Sequence, residues 1–237
     1  MLRFLFDEPQ REAEGILAET FRLMDQFVAI LNKKMAAGED NVQKLRKYEI
    51  WTLGLRSSLD ELEQSHYVAL HFQHKISSSS VKQMTDEERI HYNRYTYFDK
   101  NAFIRVFSLL DKLGTLLNEL LDMRTERIKP HFSYFTVLRN MRDKQAHTVL
   151  MWKLNHAKEK YKEPLNRLRK RRNTEIHYMN SEMQDDLIQS NRMYGEEVRL
   201  ENIAEQSADL TLGLYLAMES LLFTFQYACG LMRNKQP

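Results

Sequence analysis

Glycine, proline and cysteine are all scarce in this chain. Only 7 glycines and 4 prolines occur among 237 residues, which leaves little turn chemistry for β-hairpins. The single cysteine, Cys229, excludes an intrachain disulfide and a metal site built from cysteines, as is typical of a reducing compartment. The formal net charge is only +2, so the protein is not a polycation that would coat nucleic acid indiscriminately.

Long apolar runs are also rare. Asp7 and Glu8 interrupt the N-terminal apolar residues before a signal peptide could develop, which predicts a cytoplasmic protein. The stretch 210–232 is long enough to span a membrane, but it carries Glu219 and Gln226. Because a lone charge at the centre of a bilayer is costly, we expect a buried core or dimer helix instead.

Several reaction classes have no recognisable signature in the sequence. It contains no phosphate-binding glycine loop, no nucleophile elbow of the Ser-His-Asp enzymes and no zinc-protease helix. We therefore predict neither a cofactor nor a metal.

The abundant residues favour helices. Leu, Glu, Lys, Arg, Met and Ala dominate, and 43% of the chain is hydrophobic. Apolar residues recur at helical spacing, most strongly between Phe103 and Leu121. This predicts an all-α, up-and-down bundle of about six or seven helices, with long antiparallel members. We expect a single domain over 1–237, in which an N-terminal helical hairpin (9–76) packs on a core of about 85–235.

Residues that typically start or end helices set the expected helix boundaries. Gly38 ends the first helix, Thr85-Asp-Glu-Glu88 offers a capping box after the serine run 77–80, and Pro130 ends the third. The predicted helices cover 9–37, 40–74, 87–128, 132–144, one helix or a pair broken at Pro164 that ends near 178, and 201–233. Pro164 then lies in the first turn of the helix that ends near 178.

The segment from Arg172 to Tyr178, Arg-Asn-Thr-Glu-Ile-His-Tyr, is the most informative local feature. The fork of a guanidinium suits phosphate, and an imidazole suits proton transfer near neutrality. RNA cleavage without metal needs a base for the 2′-hydroxyl, an acid for the leaving 5′-oxygen and positive charge at the transition state.

On a helix, positions 172 and 177 lie about 140° apart, whereas Asn173 and His177 share a face. Two copies across a two-fold axis would supply both groups twice, which favours a homodimer.

Basic residues precede this motif. From Lys153 to Arg172 there are nine basic residues and two acidic ones. The strip is either an RNA-contacting surface or an ordinary solvated helix face. The candidate RNA-contacting residues are Arg169, Lys170, Arg171 and Tyr178.

Three other groups of residues are weaker candidates for a functional site. A reserve site is offered by Arg142, Asp143 and His147, although a structural role is favoured for them. A metal site could be formed by His66, His71 and His74. Because no accompanying carboxylate is identifiable, we interpret these residues instead as surface histidines. Base stacking could involve Arg94 with Tyr92, Tyr95 and Tyr97, although aromatics at helical spacing usually pack in a core or interface.

In its context the motif resembles that of the HEPN family. Arg-Asn-x-x-x-His-Tyr near a helix end, followed by a polar loop and an apolar final helix, is similar to the Arg-x4–6-His signature of HEPN domains, in which a polar residue commonly follows the Arg. The segments Tyr97-Phe98-Asp99-Lys100 and Phe132-Ser133-Tyr134-Phe135 also resemble larger bacterial HEPN-like proteins, in particular the uncharacterised Cthe-type group of Firmicutes.

The resemblance implies a helical bundle and a face-to-face dimer whose motifs line a cleft. It often implies metal-independent endoribonuclease activity in toxin, phage-defence or RNA-processing settings, while many members are non-catalytic RNA- or nucleotide-binding modules. By position, Arg172 would contact the scissile phosphate, Asn173 would support it, and His177 would be the acid or base. RNA, a second copy and an antitoxin or other protein are the partners to consider. A non-enzymatic RNA- or protein-binding module and a purely structural oligomer are the alternatives.

Overall fold

The protein is built from α-helices. The computed structural model describes residues 2–10, 12–38, 41–177 and 202–234. Within these ranges there are seven α-helices and no β-strand, which confirms the prediction of an all-α helical bundle. The helices are α1 (Gly15–Ala36), α2 (Val42–Gln73), α3 (Asp86–Leu120), α4 (Tyr134–Asp143), α5 (Thr148–Lys160), α6 (Lys162–His177) and α7 (Ile203–Asn234). Short 3-10 helices cover Leu2–Phe6, Val81–Gln83 and Thr125–Arg127.

Two of the predicted boundaries are wrong by more than a turn. The first helix begins at Gly15 instead of near residue 9, with Gly15 itself in the left-handed region at φ 55°. The third ends at Leu120 instead of near 128, because Asp122 and Arg124 adopt left-handed backbone conformations (φ 49° and 52°) that no α-helix can contain. Local apolar spacing alone did not reveal these changes of backbone direction.

The region around Pro164 forms a pair of helices. The break lies at Tyr161, between α5 and α6. Pro164 then falls in the first turn of α6, where the missing backbone N–H removes no helical hydrogen bond. The prediction that Pro164 lies in the first turn of the motif helix is therefore confirmed.

The start of α3 departs in one respect from the predicted capping box. Thr85 Oγ1 accepts a hydrogen bond from the Glu88 backbone N–H at 3.2 Å, as an N-cap should. The Glu88 carboxylate instead accepts bonds from the backbone N–H groups of Ser77 (2.6 Å) and Ser78 (2.7 Å) and from the Ser78 hydroxyl (2.6 Å). These bonds, led by the Ser78 hydroxyl, lower the pKa of Glu88 to about 2. The serine run is thereby tied to the start of α3.

The chain is organised as two compact units. Unit 1 comprises Met1–Gln10, Leu62–Arg105 and Lys162–Leu214, and unit 2 comprises Arg11–Glu61, Val106–Tyr161 and Tyr215–Pro237. The helices α2, α3 and α7 each contribute to both units. Unit 1 contains the motif helix α6 and a core cluster of Val68, Ala69, Phe72, Met84, Tyr92 and Tyr95. The single-domain assignment of 1–237 stays a prediction.

Unit 2 contains most of the strong apolar repeat of α3. Leu109, Leu110, Leu113, Leu116 and Leu117 are buried, as expected for residues central to a core. The apolar helix α7 is long and apolar enough to cross a membrane over Ile203–Arg233, yet 61% of its most apolar window is buried inside the protein. This burial is consistent with a core helix of a soluble protein.

Helices α3 and α4 approach closely at Gly114. A Cβ added there would lie 2.7 Å from Tyr134 Cα and 2.9 Å from Tyr134 N. Because the opposing atoms are backbone, the clash can be relieved only by moving a helix, and we expect Gly114→Ala to lower the free energy of unfolding by about 1–3 kcal/mol. Urea denaturation followed by circular dichroism measures this.

The matched control for this substitution is Gly54→Ala in α2. An added Cβ at Gly54 meets nothing within 4 Å, so alanine should be neutral or stabilising by up to about 1 kcal/mol through its helix propensity. Equal unfolding midpoints for Gly114→Ala and the wild type would show that the close approach is not a constraint on the fold.

Candidate functional site

The motif lies at the end of α6. Arg172 and Asn173 are partly exposed, and the Arg172 Nε and Nη2 groups donate to Asn173 Oδ1 at 3.2 and 2.9 Å. Two neighbouring motif side chains are therefore held together on the helix surface. The side chain of His177 and the whole of Tyr178 lie outside the described residues.

Arg171, immediately before the motif, is bound to α3. Its Nη2 group donates to Asp99 Oδ2, and its guanidinium carbon lies 4.7 Å from the centroid of the Phe103 ring. The exposed fraction is 3% for the Asp99 side chain and 21% for Arg171. Burial raises the pKa of Asp99 above its ordinary value, and the Arg171 charge opposes this rise. Arg171 is therefore engaged within the protein, which leaves it less able than its neighbours to contact RNA.

A second ion pair joins the same two helices. Lys100 Nζ lies 3.2 Å from Glu175 Oε2, and both side chains are partly buried. Consecutive residues of α3, Asp99 and Lys100, thus bind residues of α6 on either side of Arg172.

The beginning of α6 is attached to α7. Arg167 donates to both carboxylate oxygens of Asp209, from Nε at 2.7 Å and from Nη2 at 2.6 Å. This hydrogen bonding to Asp209 raises the pKa of Arg167. Arg167 Nε also lies 3.7 Å from Glu205 Oε1. Bidentate geometry of this kind fixes direction as well as distance.

Much of the predicted basic strip is paired with acidic side chains. The ion pairs are Lys158 with Glu159, Lys160 with Glu219, Arg167 with Asp209, and Arg171 with Asp99. The ion pair with Lys160 explains the presence of the Glu219 charge in the apolar last helix. Glu219 also accepts a hydrogen bond from the Tyr161 hydroxyl at 2.8 Å. Of the predicted RNA-contacting residues on α6, Lys170 is exposed and Arg169 is partly exposed.

The reserve site does not lie on one helix. Arg142 and Asp143 end α4, whereas His147 precedes α5 with a left-handed backbone at φ 50°. His147 Nδ1 forms a hydrogen bond with the Tyr227 hydroxyl at 2.8 Å, and Arg142 Nε lies 3.6 Å from Asp143 Oδ1. The functional assignment of this string stays a prediction.

The three histidines considered for a metal have separate surroundings. His66 is buried and its Nε2 is hydrogen-bonded to Thr211 Oγ1 at 2.8 Å, so the expectation of a surface histidine is wrong there. His71 stacks on Phe6 at 3.8 Å between ring centroids, whereas His74 is exposed. Among the described residues, no group of three or more His, Cys, Asp or Glu side chains could hold a metal ion.

The candidate stacking residues divide between core and surface. Tyr92 and Tyr95 are buried in unit 1, as aromatics at helical spacing usually are, whereas Tyr97 is 65% exposed. Arg94 lies over the Phe72 ring at 5.4 Å from its centroid.

Asp99 and Lys100 are the residues whose role the sequence did not reveal. They appeared only within a segment that resembles HEPN-like proteins. Asp99 and Arg171 are 72 positions apart, and no local spacing rule connects residues at that distance. The sole sequence signal for this pair was that Asp99 and Arg171 carry opposite charges on two amphipathic helices.

Comparison with known proteins assigns the family. The profile described as HEPN_Cthe2314-like HEPN matches residues 51–229, which include the whole of α3 to α6. No curated protein and no solved structure matches the chain. The match begins at Trp51, within α2, so it also includes part of the predicted N-terminal hairpin. HEPN domains are helical, often have RNase-related functions and often act as dimers. Since the match covers well over half of the sequence, the chain belongs to the HEPN superfamily, in its Cthe2314-like group.

Proposed function

We propose that this HEPN protein is an RNA-directed, metal-independent endoribonuclease that works as a cytoplasmic homodimer, with Arg172, Asn173 and His177 at the cleft. The observation that carries the proposal is the coincidence of family membership with Arg172 and His177 on one helix of the matched region. The bond between Arg172 and Asn173 supports a shared role for these two residues at the phosphate.

Each motif residue has a chemical task in this mechanism. The Arg172 guanidinium contacts the scissile phosphate and stabilises the charge that develops on it. Asn173 holds the guanidinium in position. The His177 imidazole takes the 2′-hydroxyl proton or delivers a proton to the leaving 5′-oxygen, and its partner copy performs the other transfer. Lys170 and Arg169, which precede the motif, attract the neighbouring phosphates.

A homodimer follows from the register of α6. Positions 172 and 177 lie about 140° apart around the helix, so one copy cannot easily direct both groups at one phosphate. Two copies that meet across a two-fold axis bring an arginine from one protomer to the histidine of the other. Light scattering should therefore report a dimer.

Incubation of the purified protein with single-stranded RNA in EDTA tests the proposal. Attack by the 2′-hydroxyl predicts a 2′,3′-cyclic phosphate and a 5′-hydroxyl at the cut, and a matched 2′-O-methyl RNA should resist cleavage completely. The variants Arg142→Ala and His147→Ala should cleave as the wild type does. Loss of cleavage in these two variants would transfer the site to the reserve string.

The non-catalytic alternative gives a different result in the same assay. Salt-dependent RNA binding without cleavage, weakened when Arg169 and Lys170 are neutralised, would identify a binding module. Neither cleavage nor binding would leave a protein-binding module or a structural oligomer.

A further inference from the structure

Two ion pairs fix the motif helix against α3. Asp99 binds Arg171, one residue before Arg172, and Lys100 binds Glu175, three residues after it. The turn that carries Arg172 and Asn173 is therefore bracketed by contacts to two consecutive residues of one neighbouring helix.

These contacts define the rotation of α6 about its axis. Arg171 and Glu175 lie four residues apart, so they project from one stripe of the helix, separated by about 40°. Relative to the middle of that stripe, Asn173 lies about 180° away, position 177 about 140° away on one side and Arg172 about 80° away on the other. The stripe facing α3 thus determines which way the motif positions face.

Of the two pairs, the one made by Asp99 constrains rotation more strongly. Its carboxylate is almost completely buried, and the Arg171 guanidinium also packs against the Phe103 ring. If Arg171 turned away, the Asp99 charge would stay buried without its hydrogen-bonded counter-ion, which is strongly unfavourable. The pair between Lys100 and Glu175 is more exposed and so constrains the helix less.

We infer that Asp99 is a positioning residue for the motif: by holding Arg171, it sets the rotation of α6 and directs Arg172, Asn173 and position 177 away from α3. Arg171, which also fits an Arg-x5-His spacing, then serves as the anchor of the helix and Arg172 as the phosphate ligand. The catalytic consequence of this inference rests on the proposed function, whereas its structural consequence does not.

Amide hydrogen exchange of Asp99→Asn tests the structural consequence. The substitution removes the charge while keeping the shape of the side chain, so exchange should accelerate about tenfold or more in 171–177 and stay unchanged in 162–168. The matched control is Asp209→Asn, which breaks the Arg167 pair at the other end of α6 and should accelerate exchange in 162–168 instead. Asp99→Glu, which retains the charge, should restore part of the protection.

Kinetics test the catalytic consequence in the same variants. Small misplacement of a catalytic group costs up to about 100-fold in rate, so Asp99→Asn should lower kcat by about 10- to 100-fold with KM changed less than about twofold. Asp209→Asn should retain the wild-type kcat. A merely structural role would predict similar losses in both variants, in proportion to the fraction unfolded.

The outcomes of these experiments separate the positioning role of Asp99 from the proposed ribonuclease function. Unchanged exchange in 171–177 for Asp99→Asn, or equal loss of kcat in Asp99→Asn and Asp209→Asn, would overturn the positioning role. If the wild type does not cleave RNA, the proposed function fails, and hydrogen exchange still decides whether Asp99 sets the rotation. Should Asp99→Asn not fold, Arg171→Lys keeps the charge but loses the guanidinium that binds Asp99 and packs on Phe103, and unchanged exchange in 171–177 in that variant overturns the inference.

Discussion

Replacement of His177 by alanine should lower the rate of RNA cleavage by about 100- to 10,000-fold, the usual contribution of a general acid or base. The imidazole is the one motif group whose ordinary pKa suits proton transfer near neutrality, and alanine leaves no group that can replace it. Single-turnover cleavage of a fluorescent RNA, with protein in excess, measures the chemical step separately from product release. Binding of the RNA, measured by anisotropy, should change little.

Two variants act as controls for the His177 result. His156→Ala removes a histidine from α5, away from the motif sequence, and should cleave at the wild-type rate. Arg172→Lys keeps the positive charge but loses the planar fork, so it should retain binding and lose much of the cleavage rate. Cleavage by His177→Ala at the wild-type rate would remove this histidine from the mechanism.

The substitution Asp99→Ala should lower the free energy of unfolding by about 3–5 kcal/mol, because it leaves the Arg171 charge largely buried without its partner. The loss exceeds the value of an ordinary ion pair, since the cost arises from the charge that remains and not from the bond that is removed. Urea denaturation monitored by circular dichroism gives the unfolding free energy, and protection of α6 amides locates the change.

Removal of both charges provides the decisive comparison for Asp99. The double variant Asp99→Leu with Arg171→Met replaces the buried pair by apolar side chains and should recover most of the lost stability. The exposed pair between Glu19 and Arg22, 3.5 Å apart, serves as the surface control, and Glu19→Ala should cost less than about 1 kcal/mol. Equal losses for Asp99→Ala and Glu19→Ala would show that burial does not govern the Asp99 contact.

Local sequence determined most of the secondary structure and the position of the motif. Few glycines and prolines, together with apolar residues at helical spacing, were enough to predict an all-α chain. Pro164 was correctly placed in the first turn of α6, because the constraint acts within a single residue and its neighbours. The resemblance to HEPN proteins was also inferred from a short motif and from the order of the elements that flank it. The family comparison confirmed the family.

The tertiary structure decided which charges are available at the site. The sequence presented Arg169 to Arg172 as a continuous basic run, yet Arg171 is paired with Asp99 and Lys170 is exposed. His66 is likewise buried, and its Nε2 is hydrogen-bonded to Thr211 Oγ1. Helical propensity and spacing act over one or two turns, whereas an ion pair between residues 72 positions apart depends on how packed helices are rotated and which faces their cores bury.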